Sequence, residues 1–349
     1  MSKQQIPVIV VAGFLGSGKT TLLNHLLHNS HGARIGVVVN DFGQVNIDAM
    51  LVAGQADSMV SLSNGCLCCV ADTSELDEML DRLARPQARI DVIVIEASGL
   101  AEPQTLVRMV VTSENPRLAY GGLVEVVDAV EFEATRQRHP ELDKHLRLAD
   151  LVVLNKVDRI DDTERLLLLN ELEHLAPGTP VLPTSHGQVD TALLFDHEPR
   201  TEDLSQPRQL TLDELLREHD ADHPHEHLHT AYDSVSFTES APLHPGRLMD
   251  FLRDRPTGVY RIKGFVHFGL PDHDQRFTLH TVGSHLQVSR SPWPRRENRL
   301  NQLVLIGAEL DAEQVRRRLA ECVDTDPAST EERSMLRLLA ALDEPQPEN

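Results

Sequence analysis

The 349-residue chain is 40% hydrophobic and 25% charged, an ordinary globular composition long enough for two domains, and its formal net charge is −21. An acidic chain without a Lys/Arg run lacks the clustered cations that a phosphate backbone or anionic lipid needs, so neither nucleic acid nor a membrane is expected as partner. The longest early apolar run, residues 6–12, is too short to span a bilayer and has no signal-peptide features around it. Three of the four cysteines fall within four positions, which suits a metal better than a disulfide framework and fits a reducing cytoplasm.

In chain order, short β-branched runs at 8–11, 35–39, 92–95, 123–127, 151–154 and 181–182 predict strands buried on both faces. Amphipathic stretches at 20–27, 74–83, 104–111 and 163–175 predict helices between them. This alternation implies an α/β fold: a doubly wound, mostly parallel P-loop NTPase domain over residues 1–195, with ligand-binding loops on one rim of the sheet. Residues 196–230 are rich in His, Asp, Glu and Pro and read as a linker. Strands expected at 234–237, 258–268, 276–282, 286–289 and 302–307, with helices at 246–253 and 311–322, make a smaller α+β C-terminal domain over 231–323. Residues 324–349 hold one further helical stretch and an acidic end, expected to be a mobile tail.

Residues 13–20, Gly-Phe-Leu-Gly-Ser-Gly-Lys-Thr, match the phosphate-cradling pattern and stand between a strand and a helix, as that pattern requires. Gly13, Gly16 and Gly18 let backbone N–H groups turn towards phosphate oxygens, with Ser17 and Thr21 in the same cradle. Lys19 is expected to reach the β- and γ-phosphates and Thr20 to ligate Mg²⁺. Asn40-Asp41-Phe42-Gly43 follows the second strand and reads as a switch, with Asp41 as a Mg²⁺-side or water-orienting acid. The strand at 92–95 delivers Glu96, a Walker-B type acid, then Gly99, whose N–H would approach the γ-phosphate; the bland alternative is a buried strand ending in a surface acid. Asn155-Lys156-Val157-Asp158 ends another strand. The Asp158 carboxylate can accept from guanine N1–H and the exocyclic amine, whereas adenine would leave polar groups unsatisfied. Ser185 and His186, after the last strand, are placed behind the base.

Cys66-Leu67-Cys68-Cys69 lies between the switch and the Walker-B strand. Thiols this close repel when ionised unless a cation shares them, and thiolates select Zn²⁺, Cu⁺ or Co²⁺ over Mg²⁺. Cys66 and Cys68 form the best pair on an extended loop, and three sulfurs leave a tetrahedral ion one open position; the alternative is small buried hydrophobes. Cys322 reads as core. The histidines at 219, 223, 225, 227 and 229 suit either weak metal capture or a solvated linker.

Taken together, G-x-L-G-x-G-K-T-T, N-[DE]-F-G, G-C-x-C-C, E-x-S-G, N-K-x-D and T-S-x-H-G resemble the CobW-like GTPases over about residues 7–190. The segments 261–265 and 303–307 look like that family's C-terminal domain. Val39 and Gln44 stand where some members carry acids. The resemblance implies a cytoplasmic GTPase that delivers zinc or cobalt to a client metalloprotein; GTP and Mg²⁺ as cofactors, Zn²⁺ or Co²⁺ on Cys66, Cys68 and Cys69, and a monomer or weak oligomer are expected with it. Two other readings stay open: a GTP-switched interaction protein with a structural zinc, and a P-loop small-molecule kinase, against which Asn155-Lys156-Val157-Asp158 argues.

Overall fold

The computed structural model describes residues 5–39, 58–61, 74–97, 102–195, 233–293 and 299–342. Its first domain is built on a seven-stranded sheet in which every pairing is parallel. The strands are β1 (Ile6–Ala12), β2 (Ile35–Val39), β3 (Ser58–Ser61), β4 (Val92–Glu96), β5 (Leu118–Asp128), β6 (Leu151–Asn155) and β7 (Val181–Pro183), in spatial order β3-β2-β4-β1-β5-β6-β7. The helices are α1 (Lys19–His28), α2 (Ser74–Leu83), α3 (Pro103–Val111), α4 (Phe132–Arg138), α5 (Leu142–Leu148), α6 (Asp162–Leu175) and the single turn α7 (Thr191–Leu194).

Both faces of the sheet are covered, which is why its strands read as unbroken apolar runs rather than alternating ones. On one face Ile9, Val11, Val37, Val94 and Val124 pack with Leu22, Leu23 and Leu26 of α1. On the other, Val8, Val10, Ile93 and Ile95 meet Leu76 and Leu80 of α2 and Leu106 of α3, while Val127, Val152 and Leu154 meet Phe132, Leu142, Leu146 and Leu172 of α4, α5 and α6. A capping box fixes where α6 starts: Asp161 accepts from the Glu164 N–H and Glu164 accepts from the Asp161 N–H.

The second domain is a five-stranded antiparallel sheet, order β11-β10-β9-β12-β8, formed by β8 (Asp233–Glu239), β9 (Val259–Val266), β10 (Arg276–Val282), β11 (His285–Ser291) and β12 (Asn301–Gly307). Helices α8 (Pro245–Arg253), α9 (Ala312–Ala320) and α10 (Leu336–Leu339) pack on one face. The expected tail beyond residue 323 needs correcting: Met335 and Leu338 are fully buried in the same core as Phe251, Phe277 and Leu305, so the domain runs on to residue 342. Cys322 is buried there too, and burial pushes its thiol up to about 11, as suits a core residue.

The domains share a packed seam. Tyr260, Val282 and Ile306 join the first domain's core, and the Tyr260 hydroxyl donates to the Gly121 carbonyl at 3.3 Å. At Gly122, φ is +112° and an added Cβ would lie 2.7 Å from that hydroxyl, so only glycine fits there. Asp150, just before β6, accepts from the Tyr120 hydroxyl at 2.5 Å and the Leu123 N–H at 2.9 Å. No helix among the described residues is long and apolar enough to cross a membrane.

Candidate nucleotide site

The loop between β1 and α1 is a chain of glycines in conformations that side chains resist. Gly13, Gly16 and Gly18 have φ of +143°, +78° and +106°. A Cβ on Gly13 would sit 2.3 Å from the Val126 carbonyl oxygen, and one on Gly18 would sit 2.2 Å from Asn155 Nδ2. The loop is thus pressed onto β5 and β6, and only a bare backbone permits it. Its N–H groups and the start of α1 form an anion cradle with a partial positive charge. The Ser17 hydroxyl is buried there with no hydrogen-bond partner.

Lys19, the first residue of α1, is nearly buried, and its ammonium donates to the Gly13 carbonyl at 2.8 Å and the Phe14 carbonyl at 3.1 Å. The loop's own carbonyls hold the cation in place, ready to turn to a phosphate. Thr21 is exposed at the same turn. The Thr20 hydroxyl donates to Glu96 Oε1 at 2.8 Å, so the Walker-A hydroxyl and the acid at the end of β4 meet although 76 positions separate them. A hydroxyl and a buried carboxylate are hard oxygen donors, the set that Mg²⁺ takes alongside phosphates and water.

The guanine-motif residues divide into two kinds. Asn155 is buried and works as a strut: Nδ2 donates to the Ser17 carbonyl at 2.9 Å, and Oδ1 accepts from the Gly187 N–H at 3.0 Å. One amide ties together the phosphate loop, β6 and the turn after β7. Lys156, with φ of +65°, donates to the Gly16 carbonyl at 2.7 Å and forms an ion pair with Asp128 at 2.5 Å. Asp128 also accepts from the Val130 N–H at 3.0 Å, which fixes the end of β5. Sequence reasoning missed Asp128; the only signal was an acid at a strand's C-terminal end.

Asp158, by contrast, points outward. It lies in a 3₁₀ turn, Val157–Arg159, and a hydrogen bond from Ser185 holds its carboxyl below the usual range. A carboxylate that stays ionised remains acceptor-only. His186, at φ of +55°, and Gly187, at +64°, shape the turn that carries Ser185 beside it. A Cβ on Gly187 would meet the Leu22 N at 2.7 Å, so this turn rests directly on α1. The structure therefore brings together Gly13, Gly16, Ser17, Gly18, Lys19, Thr20, Glu96, Asn155, Lys156, Asp158, Ser185 and the turn at His186. Asp41, Gly99, Cys66, Cys68, Cys69 and the histidines 219–229 lie outside the described residues. Among the described residues no cluster of three or more His, Cys, Asp or Glu could hold a metal.

Comparison with known proteins places the chain among relatives in sequence. The CobW/HypB/UreG nucleotide-binding domain matches residues 7–183, and the cobalamin synthesis protein cobW C-terminal domain matches residues 232–323. The zinc chaperone CobW of Sinorhizobium sp is 30% identical over 342 residues, covering 87% of this chain and 93% of that protein. The zinc chaperone YjiA of Escherichia coli is 34% identical over 197 residues, 55% of this chain and 61% of YjiA, so that match spans about three fifths of its relative's length. The zinc-regulated GTPase metalloprotein activator 1 of Dictyostelium discoideum is 30% identical over 225 residues, 53% of this chain and 47% of that protein. Among solved structures, the Zn(II)-bound YjiA GTPase of E. coli is 22% identical, with a TM-score of 0.43 over 92% of this chain and 100% of that one.

Proposed function

We propose that this chain, which belongs to the CobW-like family of P-loop GTPases, hydrolyses GTP and uses the cycle to pass a zinc ion, held on Cys66, Cys68 and Cys69, to a client metalloprotein. The observation that carries the nucleotide half is the Asn155 strut. It locks the phosphate loop to the turn that presents Asp158 and Ser185, so base and phosphates would be read by one rigid unit.

In that reading the cradle N–H groups and Lys19 take the β- and γ-phosphates, and Thr20 and Glu96 hold Mg²⁺. When bound, Mg²⁺ neutralises charge on the phosphate oxygens and the leaving group. Asp158 accepts from guanine N1–H and the 2-amino group, and an adenine ring in the same place would leave that carboxylate unsatisfied. The water oxygen bonds to the γ-phosphorus as the bond from that phosphorus to the β–γ bridging oxygen breaks; the bridging oxygen leaves on GDP and the water's proton passes to phosphate or solvent. The zinc half rests on three closely spaced thiols and on relatives that carry the name zinc chaperone. Thiolates suit Zn²⁺, with Co²⁺ the next candidate, and a site with one open position suits handover to a client in the reducing cytoplasm.

Exchanging Asp158 for Asn tests the nucleotide half. The variant is expected to lose GTP affinity and gain affinity for xanthosine triphosphate, whose 2-oxo group pairs with an amide donor. Equal affinity of the wild type for ATP and GTP, by titration calorimetry, would remove the guanine assignment. The metal half is tested by a Cys66/Cys68 double Ser variant, which is expected to lose stoichiometric zinc and the thiolate-to-cobalt absorption band.

A further inference from the structure

Glu125, in the middle of β5, has no part in the chemistry above, and its surroundings are odd for a carboxyl. It is fully buried, and neither of its oxygens has a hydrogen-bond partner. Buried polar groups are almost always satisfied, so an orphan carboxyl in a parallel sheet asks for a reason. Its neighbours in register are Ala12 of β1 and Val152 of β6, neither of which can donate from a side chain. Val11 pairs with both Val124 and Glu96, so Glu96 belongs to the opposite face of the sheet and is not a partner for Glu125.

Among the described residues the charge acting on Glu125 is the Lys19 ammonium, which favours the ionised form; burial opposes it more strongly and pushes the carboxyl up to about 8. The helices over this face add little. On α3 Arg108 is exposed, as is Glu102 ahead of it. On α5 Lys144 and Arg147 are exposed, while His145 is buried against the Phe14 ring and burial holds its imidazole below the ordinary value, so it is neutral above pH 7. Glu125 thus sits beneath the phosphate loop, and its charge state depends on what Lys19 is doing.

We propose that Glu125 couples nucleotide binding to proton uptake: its carboxylate can ionise against Lys19 while the phosphate cradle is empty, and takes a proton from solvent when phosphates claim that lysine. This rests on the nucleotide assignment of the site. The added phosphate charge and the diverted ammonium both disfavour a buried anion, so the carboxyl's proton affinity rises on binding. By linkage, nucleotide affinity is full below pH 8 and falls as pH rises through it. Glu125 acts through Lys19 and is a positioning residue.

The test is the affinity for Mg²⁺-GDP and Mg²⁺-GTP from pH 7 to pH 9, in the wild type and in Glu125→Gln, which keeps the shape and removes the proton. The wild type is expected to lose about tenfold more affinity over that range than Glu125→Gln, the slope of one proton with a midpoint near 8. Guanine's own titration affects both proteins alike and cancels in the comparison. Calorimetry on the wild type alone at pH 8, in two buffers of different ionisation enthalpy, is expected to show uptake of a fraction of a proton per nucleotide, and this holds even if the variant folds poorly. Parallel pH profiles in the two proteins, or no proton uptake at pH 8, would overturn the proposal. Absence of nucleotide binding at pH 7 would instead overturn the nucleotide assignment itself.

Discussion

Asn155 makes two buried hydrogen bonds from one side chain, to the Ser17 carbonyl and from the Gly187 N–H. Replacing it with Ala would strand both partners, at about 1–3 kcal/mol for each buried group left unsatisfied. Asn155→Ala is therefore expected to lower the melting temperature and to weaken GTP and ATP alike, because it loosens the scaffold rather than base recognition; Asp158→Asn changes base preference and leaves stability nearly alone. Thermal melts run beside nucleotide titrations separate the two, and an Asn155→Ala protein with wild-type melting and affinity would show that the strut carries no energy. Glu125 gives a second prediction, from stability instead of binding. Its folded carboxyl, near 8, lies above its ordinary value of 4.5, so the folded state holds the proton more tightly than the unfolded state. The stability it contributes is full below pH 4.5 and is lost as pH rises through 8, at roughly 1.4 kcal/mol per pH unit at the upper limit. Glu125→Gln should thus be more stable than the wild type, by a margin that widens from pH 4.5 to 8 and then levels off. A margin that stays constant or narrows would contradict that burial.

At the scale of elements, the last helix is the informative one. Met335 and Leu338 are wholly buried beside Phe251 and Leu252 of α8, so the segment from 324 to 342 packs on the C-terminal core. Met335→Ala is expected to destabilise that domain by about 2–5 kcal/mol, the usual range for emptying such a site; a calorimetric melt unaffected by the change would mean the helix is dispensable. Sequence patterning expected a helical stretch here but not its docking, because a single turn anchored by Leu338, with Met335 just ahead of it, is below the length at which a period can be read. The same limit hid α4 and α5, two turns each, and β3, a four-residue edge strand flanked by serines. The first half of β5 was hidden for another reason: Gly121 and Gly122 argue against a strand, yet the Ile9 side chain and Val8 backbone at the first, and the Tyr260 hydroxyl at the second, crowd those positions so closely that nothing larger fits. Long or strongly β-branched elements, such as β2, β10 and α2, were legible to the residue. At the site, the spacing of the phosphate-loop, 155–158 and 185–186 motifs was enough to expect the convergence that the described residues have. The struts were not legible: Asn155 as a scaffold rather than a base contact, and Asp128 as the partner of Lys156, depend on contacts between residues 28 to 138 positions apart.

For the whole molecule, the question is whether nucleotide and zinc are held by one device. The sheet sets the geometry of an answer. Val39 at the end of β2 is in register with Ser61 of β3 on one side and Glu96 of β4 on the other, so all three strands end on one rim. Glu96 accepts from the Thr20 hydroxyl, at the proposed Mg²⁺ side of the loop. Asp41 follows Val39 by two positions, and Cys66 follows Ser61 by five. The proposed switch and thiol segments thus follow, in sequence, strands that end on the rim where β4 delivers Glu96, and the handover mechanism proposed above requires that a phosphate contact made by one segment be felt by the next. GTP with Mg²⁺ is expected to draw these segments together and tighten zinc; hydrolysis removes the γ-phosphate contacts and loosens it, which is what release to a client requires. Linkage fixes the converse: zinc must raise GTP affinity by the same factor by which GTP raises zinc affinity, and a coupling of about 1–3 kcal/mol corresponds to roughly 5- to 150-fold. The measurement is zinc affinity by chelator competition without nucleotide, with GDP, and with a non-hydrolysable GTP analogue. The order expected is analogue tightest, with GDP and the empty protein weaker, and the Cys66/Cys68 double Ser variant should show no such order. Three equal affinities in the wild type would leave a zinc site beside a GTPase with nothing passing between them, and the handover mechanism would have to be abandoned in favour of a structural zinc.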